Sequence, residues 1–248
     1  VTRAFAAEIL KMRTTRTFFA LVGSAFALTL LVSIAGSVAP SFDSSDHPGL
    51  DVLGGGSFAQ IFALVIGLLA VTTEFRHGTI TPTLLAVPDR ARLVLAKLGA
   101  GFLIGLVLGV VCVGVGSAIG LGVLKIRDIP TLTDTSDLVA AIGGGILCSV
   151  LFCGIGVGLG AIIRNQVGAI IGVILWMLLV EPLLGVIPGI GHAITKFGLG
   201  GASNAVSNLS SNQEHTLTQA PGILLLVAYC AIFAALGTYL LRRRDISG

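Results

Sequence analysis

Six stretches of this chain are each long and apolar enough to cross a bilayer: residues 17–39, 54–72, 98–124, 138–163, 167–187 and 222–241. A helix needs about 20 mostly apolar residues for that crossing. In lipid, backbone N–H and C=O groups must be satisfied internally, so only helices and closed barrels span. These runs are too long and too continuously apolar for barrel strands. Charged residues make up 11% of the chain, against about 25% for a soluble domain. A chain so poor in charge cannot cover itself with a polar surface. The fold class expected is an all-α integral membrane protein, one domain over residues 1–248 with about six transmembrane helices.

Residues 1–16 precede the first run. Phe5, Ile9 and Met12 share a helical face, and Arg3, Glu8, Lys11 and Arg13 are expected off it. This suits a short amphipathic helix along the membrane surface, and equally a frayed basic terminus. The run at 17–39 is longer than the apolar core of a signal peptide, and Pro40 after Ser37-Val38-Ala39 makes a poor cleavage site. It is expected to stay as an anchor.

The polar connections set an orientation. Residues 40–53 carry Asp43, Asp46 and Asp51 without Lys or Arg, whereas the connection after the second run holds Arg76, Arg90, Arg92 and Lys97. Of the 15 Lys and Arg residues, all but Lys125, Arg127 and Lys196 fall on one side of a six-span arrangement. Basic loops stay inside, so both termini are expected in the cytoplasm, at a bacterial inner membrane or other plasma membrane. The formal net charge of +3 follows from these flanking charges. With no stripe of basic residues interleaved with aromatics, nucleic acid is not an expected partner.

Cys112, Cys148, Cys153 and Cys230 all lie in apolar runs, and none forms CxxC. Buried apolar side chains are expected, with no disulfide and no metal site. Gly101, Gly105 and Gly109 form a double GxxxG; Gly116/Gly120, Gly154/Gly158, Gly156/Gly160 and Gly168/Gly172 repeat the spacing. Small residues at i, i+4 let helices approach closely in lipid. Whether the partner helix belongs to the same chain is left open by the sequence.

No GxxxxGK[ST] phosphate loop and no HExxH occurs. His47, His77, His192 and His215 all fall in expected loops. Ion-coupled carriers place ionisable groups near the membrane midplane. Here the candidate is Glu181, near the outer end of the fifth run. An enzyme and an ion-driven pump are both disfavoured.

The longest run in the first two-thirds of the chain that is both charged and basic is residues 73–98, with the polar connection at 74–97. Gly78-Thr79 can begin a helix, with Thr79 as N-cap and Pro82 in the first turn, and Pro88-Asp89 ends it. Its spacing, E-x3-G-T-x4-L-L-x2-P-x-R-x6-K, is carried by Glu74, Gly78, Thr79, Leu84, Leu85, Pro88, Arg90 or Arg92, and Lys97. It resembles the cytoplasmic segment of the ABC-2 type permeases, the membrane subunits of a class of ABC transporters. The basic start, the run count, the long region before the last run and the Arg-rich end also fit. Arg90 follows Pro88 by two residues instead of the commoner three, and Arg92 by four, so which arginine takes the family role is open.

The resemblance implies a permease without an ATPase site of its own, and hence no cofactor in this chain. ATP and Mg would be bound by a cytosolic ABC ATPase subunit, two copies of which serve two permease copies, as homodimer or heterodimer. Residues 78–88 would be the coupling helix that docks on the ATPase. Short outer helices would re-enter the membrane edge before the last run. Transport would be export, and the apolar runs suit an amphipathic small molecule, peptide or lipid. Glu74 is expected to pair with Arg76, Arg90 or Arg92, so that the second span and the coupling helix move together. Glu181 and Trp176 are candidates for the transport path or outer gate; a headgroup-facing carboxylate and a packed tryptophan are the plain alternatives. Asn208-Leu209-Ser210 matches a glycosylation acceptor pattern only weakly. The rival functions are a carrier or channel acting alone, and a structural membrane subunit.

Overall fold

The computed structural model describes residues 2–38, 48–86, 89–131, 133–207 and 217–243. The expectations placed on Pro40, Asp43, Asp46, His47, Pro88, Asn208, His215 and Arg244 lie outside them. Helix α1 (Thr2–Thr14) leads to α2 (Arg16–Val38). After α3 (Pro48–Asp51), a 3-10 turn at Val52–Gly55 runs into α4 (Gly56–Arg76), and α5 (Ile80–Ala86) follows. Helix α6 (Arg90–Gly109) continues through a π turn, Val110–Gly114, into α7 (Val115–Ile126). Then come α8 (Thr135–Ile162) and α9 (Gln166–Leu175), with a second π turn, Trp176–Val180, joining α9 to α10 (Glu181–Gly185). The short α11 (Gly191–Phe197) and α12 (Leu199–Val206) precede α13 (Gln219–Arg243).

Six helical stretches are long and apolar enough to cross a membrane: Arg16–Val38, Val52–Arg76, Arg90–Ile126, Thr135–Ile162, Gln166–Gly185 and Gln219–Arg243. There are no strands among the described residues. The architecture is that of an all-α integral membrane protein. The third span begins at Arg90, about two turns before the apolar run at Leu98. Asp89 makes that start possible: its carboxylate accepts from the Ala91 and Arg92 amides at 3.0 and 3.3 Å, as an N-cap does.

Helix α8 is the axis of the bundle, with α4, α6 and α13 packed around it. Glycine makes the contacts close. A Cβ at Gly67 of α4 would fall on the Cys153 carbonyl, and one at Gly156 of α8 on the Leu64 carbonyl. At Gly105 of α6 it would lie 2.6 Å from Ser149 O, and at Gly158 of α8 2.7 Å from the Phe233 carbonyl carbon of α13. Backbones thus touch where the hydrophobic effect gives helices no reason to meet in lipid. Phe152, Leu64, Leu68 and Leu108 fill the space between them. Most of the glycine pairs therefore find their partners inside this chain. Gly172 is an exception, with nothing within 4 Å of a Cβ there.

Helix α2 buries a single narrow stripe, Ala25, Thr29, Ser33 and Ser37, spaced at i, i+4. That stripe meets α7 and the 3-10 turn: a Cβ at Gly116 would lie 3.0 Å from Thr29 and one at Gly55 2.7 Å from the Ser33 hydroxyl. Arg127 closes the end of α2 by donating to the Ser37 carbonyl at 2.5 Å. All four cysteines are buried and free.

The bundle has two unlike ends. At one, α1, the α4–α6 connection and the last turn of α13 meet. At the other, α12 packs on α8 and α13 and reaches α4 through the Ser203–Gln60 hydrogen bond, with α11 beside it; there Gln219 donates to the carbonyls of Val206, at 3.0 Å, and Ala140, at 3.4 Å.

Candidate functional site

At the first end the helical periodicity forces charges inward. On α6, Val94, Lys97, Leu98 and Gly101 share one face, and the three apolar members are buried. Lys97 is therefore carried into the core and is only 2% exposed. A lone buried ammonium costs several kcal/mol, so partners are required. Lys97 Nζ donates to Glu8 Oε2 at 3.0 Å, lies 2.9 Å from Glu74 Oε1 and donates to the Ala70 carbonyl at 3.1 Å. An ammonium has three protons, and three acceptors surround it.

Glu74 reaches the cluster from the last turn of α4 and Glu8 from α1. Both are buried. Lys11, one turn beyond Glu8, approaches Glu8 at 3.3 Å and pairs closely with Glu74. Burial works to lower the Lys11 pKa, but its hydrogen bond to Glu74 and the charges of Glu74 and Glu8 prevail, leaving it above the ordinary lysine value. Two carboxylates and two ammonium groups thus balance, and they tie three helices together. Glu74 Oε2 is left without a hydrogen-bond partner.

This corrects two expectations. Glu74 is held by Lys97 and Lys11 instead of an arginine. Arg76 is exposed on the helix end; Arg92, also exposed, pairs with Asp89 at 3.1 Å. Arg90 turns to the last turn of α13, donating to the carbonyls of Leu241 and, at 3.3 Å, Arg242. It so satisfies carbonyls that the helix end leaves open. Second, Glu8 does not lie off the apolar face of α1. Glu8 stands three residues after Phe5 and four before Met12, on the same stripe, and Met12 is buried with it. That spacing was the available signal.

The connection itself is shaped by Gly78. The Thr79 amide donates to the Glu74 carbonyl at 3.0 Å and the Gly78 amide to Phe75 at 3.4 Å. This double closure needs a left-handed residue after the helix, and Gly78 has φ of 66°. Thr79 then precedes α5, and Pro82 falls in its first turn. Ile80 is buried and anchors α5, while Thr81, Pro82 and Leu85 face outward, Leu85 at 79% exposed. Leu84 belongs to α5.

At the opposite end, Glu181 opens α10 directly after the π turn and is 7% exposed. Its Oε1 accepts from the Gly200 amide at 2.6 Å and from Gly201 at 3.4 Å. Helix α12 has no cap from its own Gly198, so a carboxylate 19 residues earlier caps it from the fifth span. A Cβ at Gly198 would fall on Glu181 Oε1. Trp176, at the start of the π turn, turns its indole toward the same carboxyl, so the two residues singled out in this span do come together. Trp176 is 46% exposed, not packed away.

Beside Glu181 lies a cavity of about 310 Å³, walled by Gln60, Met177, Pro182, Ser203 and Asn204 among others. Gln60 and Ser203 are buried, and the Ser203 hydroxyl donates to Gln60 Oε1. Gln60 has no distinguishing sequence signal beyond being an amide inside an apolar run.

Among comparisons with known proteins, no curated protein matches the sequence. The family described as ABC-2 family transporter protein matches residues 8–246. That match takes in both ends of the bundle and all six apolar spans. The chain belongs to the ABC-2 transporter family, and it is a multi-pass membrane permease of the kind that associates with an ABC ATPase.

Proposed function

We propose that this chain is the membrane half of an ATP-driven exporter, with ATP and Mg bound by a separately encoded ATPase that docks on α5. The observation that carries the reading is the Glu8–Lys11–Glu74–Lys97 cluster. It sits behind an exposed seven-residue helix and joins that helix's root to α1 and α6. A push on α5 reaches Glu74 through one tight turn, and the cluster passes it to three helices as one body. ATP binding can then shift the permease between two access states, provided the docked surface differs between them.

The end of the bundle holding the cluster faces the cytoplasm, by the basic residues that surround it, and both termini lie there, in a plasma membrane. Two permease copies and two ATPase copies make the working assembly. The cargo is amphipathic: a small molecule, peptide or lipid. Gly78, Thr79, Leu84, Leu85 and Pro88 form the docking surface and its hinge; Glu74 and Lys97 form the coupling root, and Arg90 and Arg92 flank it. Drug resistance through export is one outcome of such an activity.

A mild-detergent pull-down of the tagged chain from its native membrane tests this. Wild type is expected to bring down a soluble subunit with a phosphate loop. Leu85→Glu, which leaves the buried cluster intact, is expected to lower its recovery at least tenfold at equal permease level. Recovery of no ATPase under conditions that preserve other membrane complexes would refute the reading.

A further inference from the structure

Two residues in the wall of the cavity beside Glu181 each hold a polar atom that the fold leaves unpaired. Glu181 Oε2 and Gln60 Nε2 are both buried without a hydrogen-bond partner. Both residues line the same space and are 7% and 2% exposed. Capping α12 needs only Oε1, and the indole of Trp176 lies outside hydrogen-bond geometry to Oε2. Both carboxylates of the other cluster are paired with lysines, whereas the second oxygen of Glu181 has no hydrogen-bond partner. An unsatisfied buried carboxylate oxygen is costly, more so than a neutral group. The rest of the wall is mixed: Phe58, Ile61, Met177 and Leu178 are apolar, Ser203 and Asn204 polar.

We propose that this cavity binds the head of an amphipathic ligand, a protonated primary amine with a hydroxyl or carbonyl oxygen beside it. The ammonium donates to Glu181 Oε2, the neighbouring oxygen accepts from Gln60 Nε2, and the apolar tail lies along Phe58, Ile61 and Met177. The chemistry occurs both in amino-alcohol or aminoacyl amphiphiles and in ethanolamine lipid headgroups. That such a ligand is cargo rests on the permease reading; that it binds does not.

Trp176 is the single tryptophan of the chain and turns toward Glu181, so its emission reports on the site. The full chain, in phosphatidylcholine vesicles at pH 7, is titrated with 2-aminododecan-1-ol and separately with dodecan-1-ol. The amino alcohol is expected to change Trp176 emission saturably. The plain alcohol, compared at equal concentration in the bilayer, should need at least tenfold more. Glu181→Gln, which keeps an oxygen for the Gly200 amide, is expected to erase that tenfold preference. A second arm replaces half the phosphatidylcholine with phosphatidylethanolamine: a raised half-saturation names the lipid as an occupant, and an unchanged one assigns the site to free amphiphiles. Equal responses of wild type to amine and alcohol, or a preference undiminished in Glu181→Gln, overturn the proposal. Neither result bears on the pull-down, so the site and the permease reading fail separately.

Discussion

Lys97 is the residue whose environment leaves least freedom. It sits in the core, donating to the Glu8 carboxylate and the Ala70 carbonyl and ion-paired with Glu74. Removing one member of a buried pair costs about 3–5 kcal/mol, because the other charge stays behind. Glu8→Ala is therefore expected to lower the thermal midpoint of the detergent-solubilised chain markedly, whereas Asp89→Asn, at an exposed pair, should shift it little. Lys11 contributes differently. Its pKa lies above the ordinary value, so its stabilisation is fully present below that value and fades only as pH rises through the raised one. The Lys11 contribution should hold unchanged from pH 7 to 9 and fade beyond about 10.5. A thermal midpoint that fell between pH 7 and 9 would count against this account. Glu74 and Lys97 were visible in the sequence as a motif, but their partnership was not. Arginines near Glu74 in the chain made the nearer candidates, and only the depth of α6 and α1 brings Lys97 and Glu8 to it.

At the scale of elements, the six spans were legible because continuous apolar length is a one-dimensional property. The π turns at Val110–Gly114 and Trp176–Val180 were not, since a wide turn leaves composition and hydropathy unaltered. Nor was the extension of α6 to Arg90, which depends on the Asp89 cap and on burying Lys97. The glycines were legible as packing signals, and the structure supplies the surfaces. The α4–α8 seam is close enough that a side chain at Gly67 meets a carbonyl. Gly67→Ala is expected to cost about 1–3 kcal/mol through forced separation of the helices, seen as a lowered thermal midpoint. Gly23→Ala, where nothing lies within 4 Å, should be neutral or slightly stabilising.

Across the whole molecule, burial is uneven. Within their 18-residue apolar cores, 67% and 56% of the residues of the second and fourth spans are buried, and only 17%, 11% and 17% of those of the first, fifth and sixth. The tight centre is built on α4 and α8, and the outer spans leave broad apolar faces to lipid or to a second copy. Helix α4 carries Gln60 near one end and Glu74 near the other, about 21 Å apart along its axis. The two polar centres therefore share one stiff element. The π turns add a consequence for how the gene can change. Each π turn accommodates one residue more than an α-helix would use over the same length. Loss of a single codon there straightens the helix and leaves the register beyond it intact; the same loss in α4 rotates everything downstream by about 100°. Deleting Leu178 should thus give a chain that still reaches the membrane and binds its ATPase, while deleting Leu68 should abolish accumulation. Expression and pull-down of the two deletions, side by side, decide it.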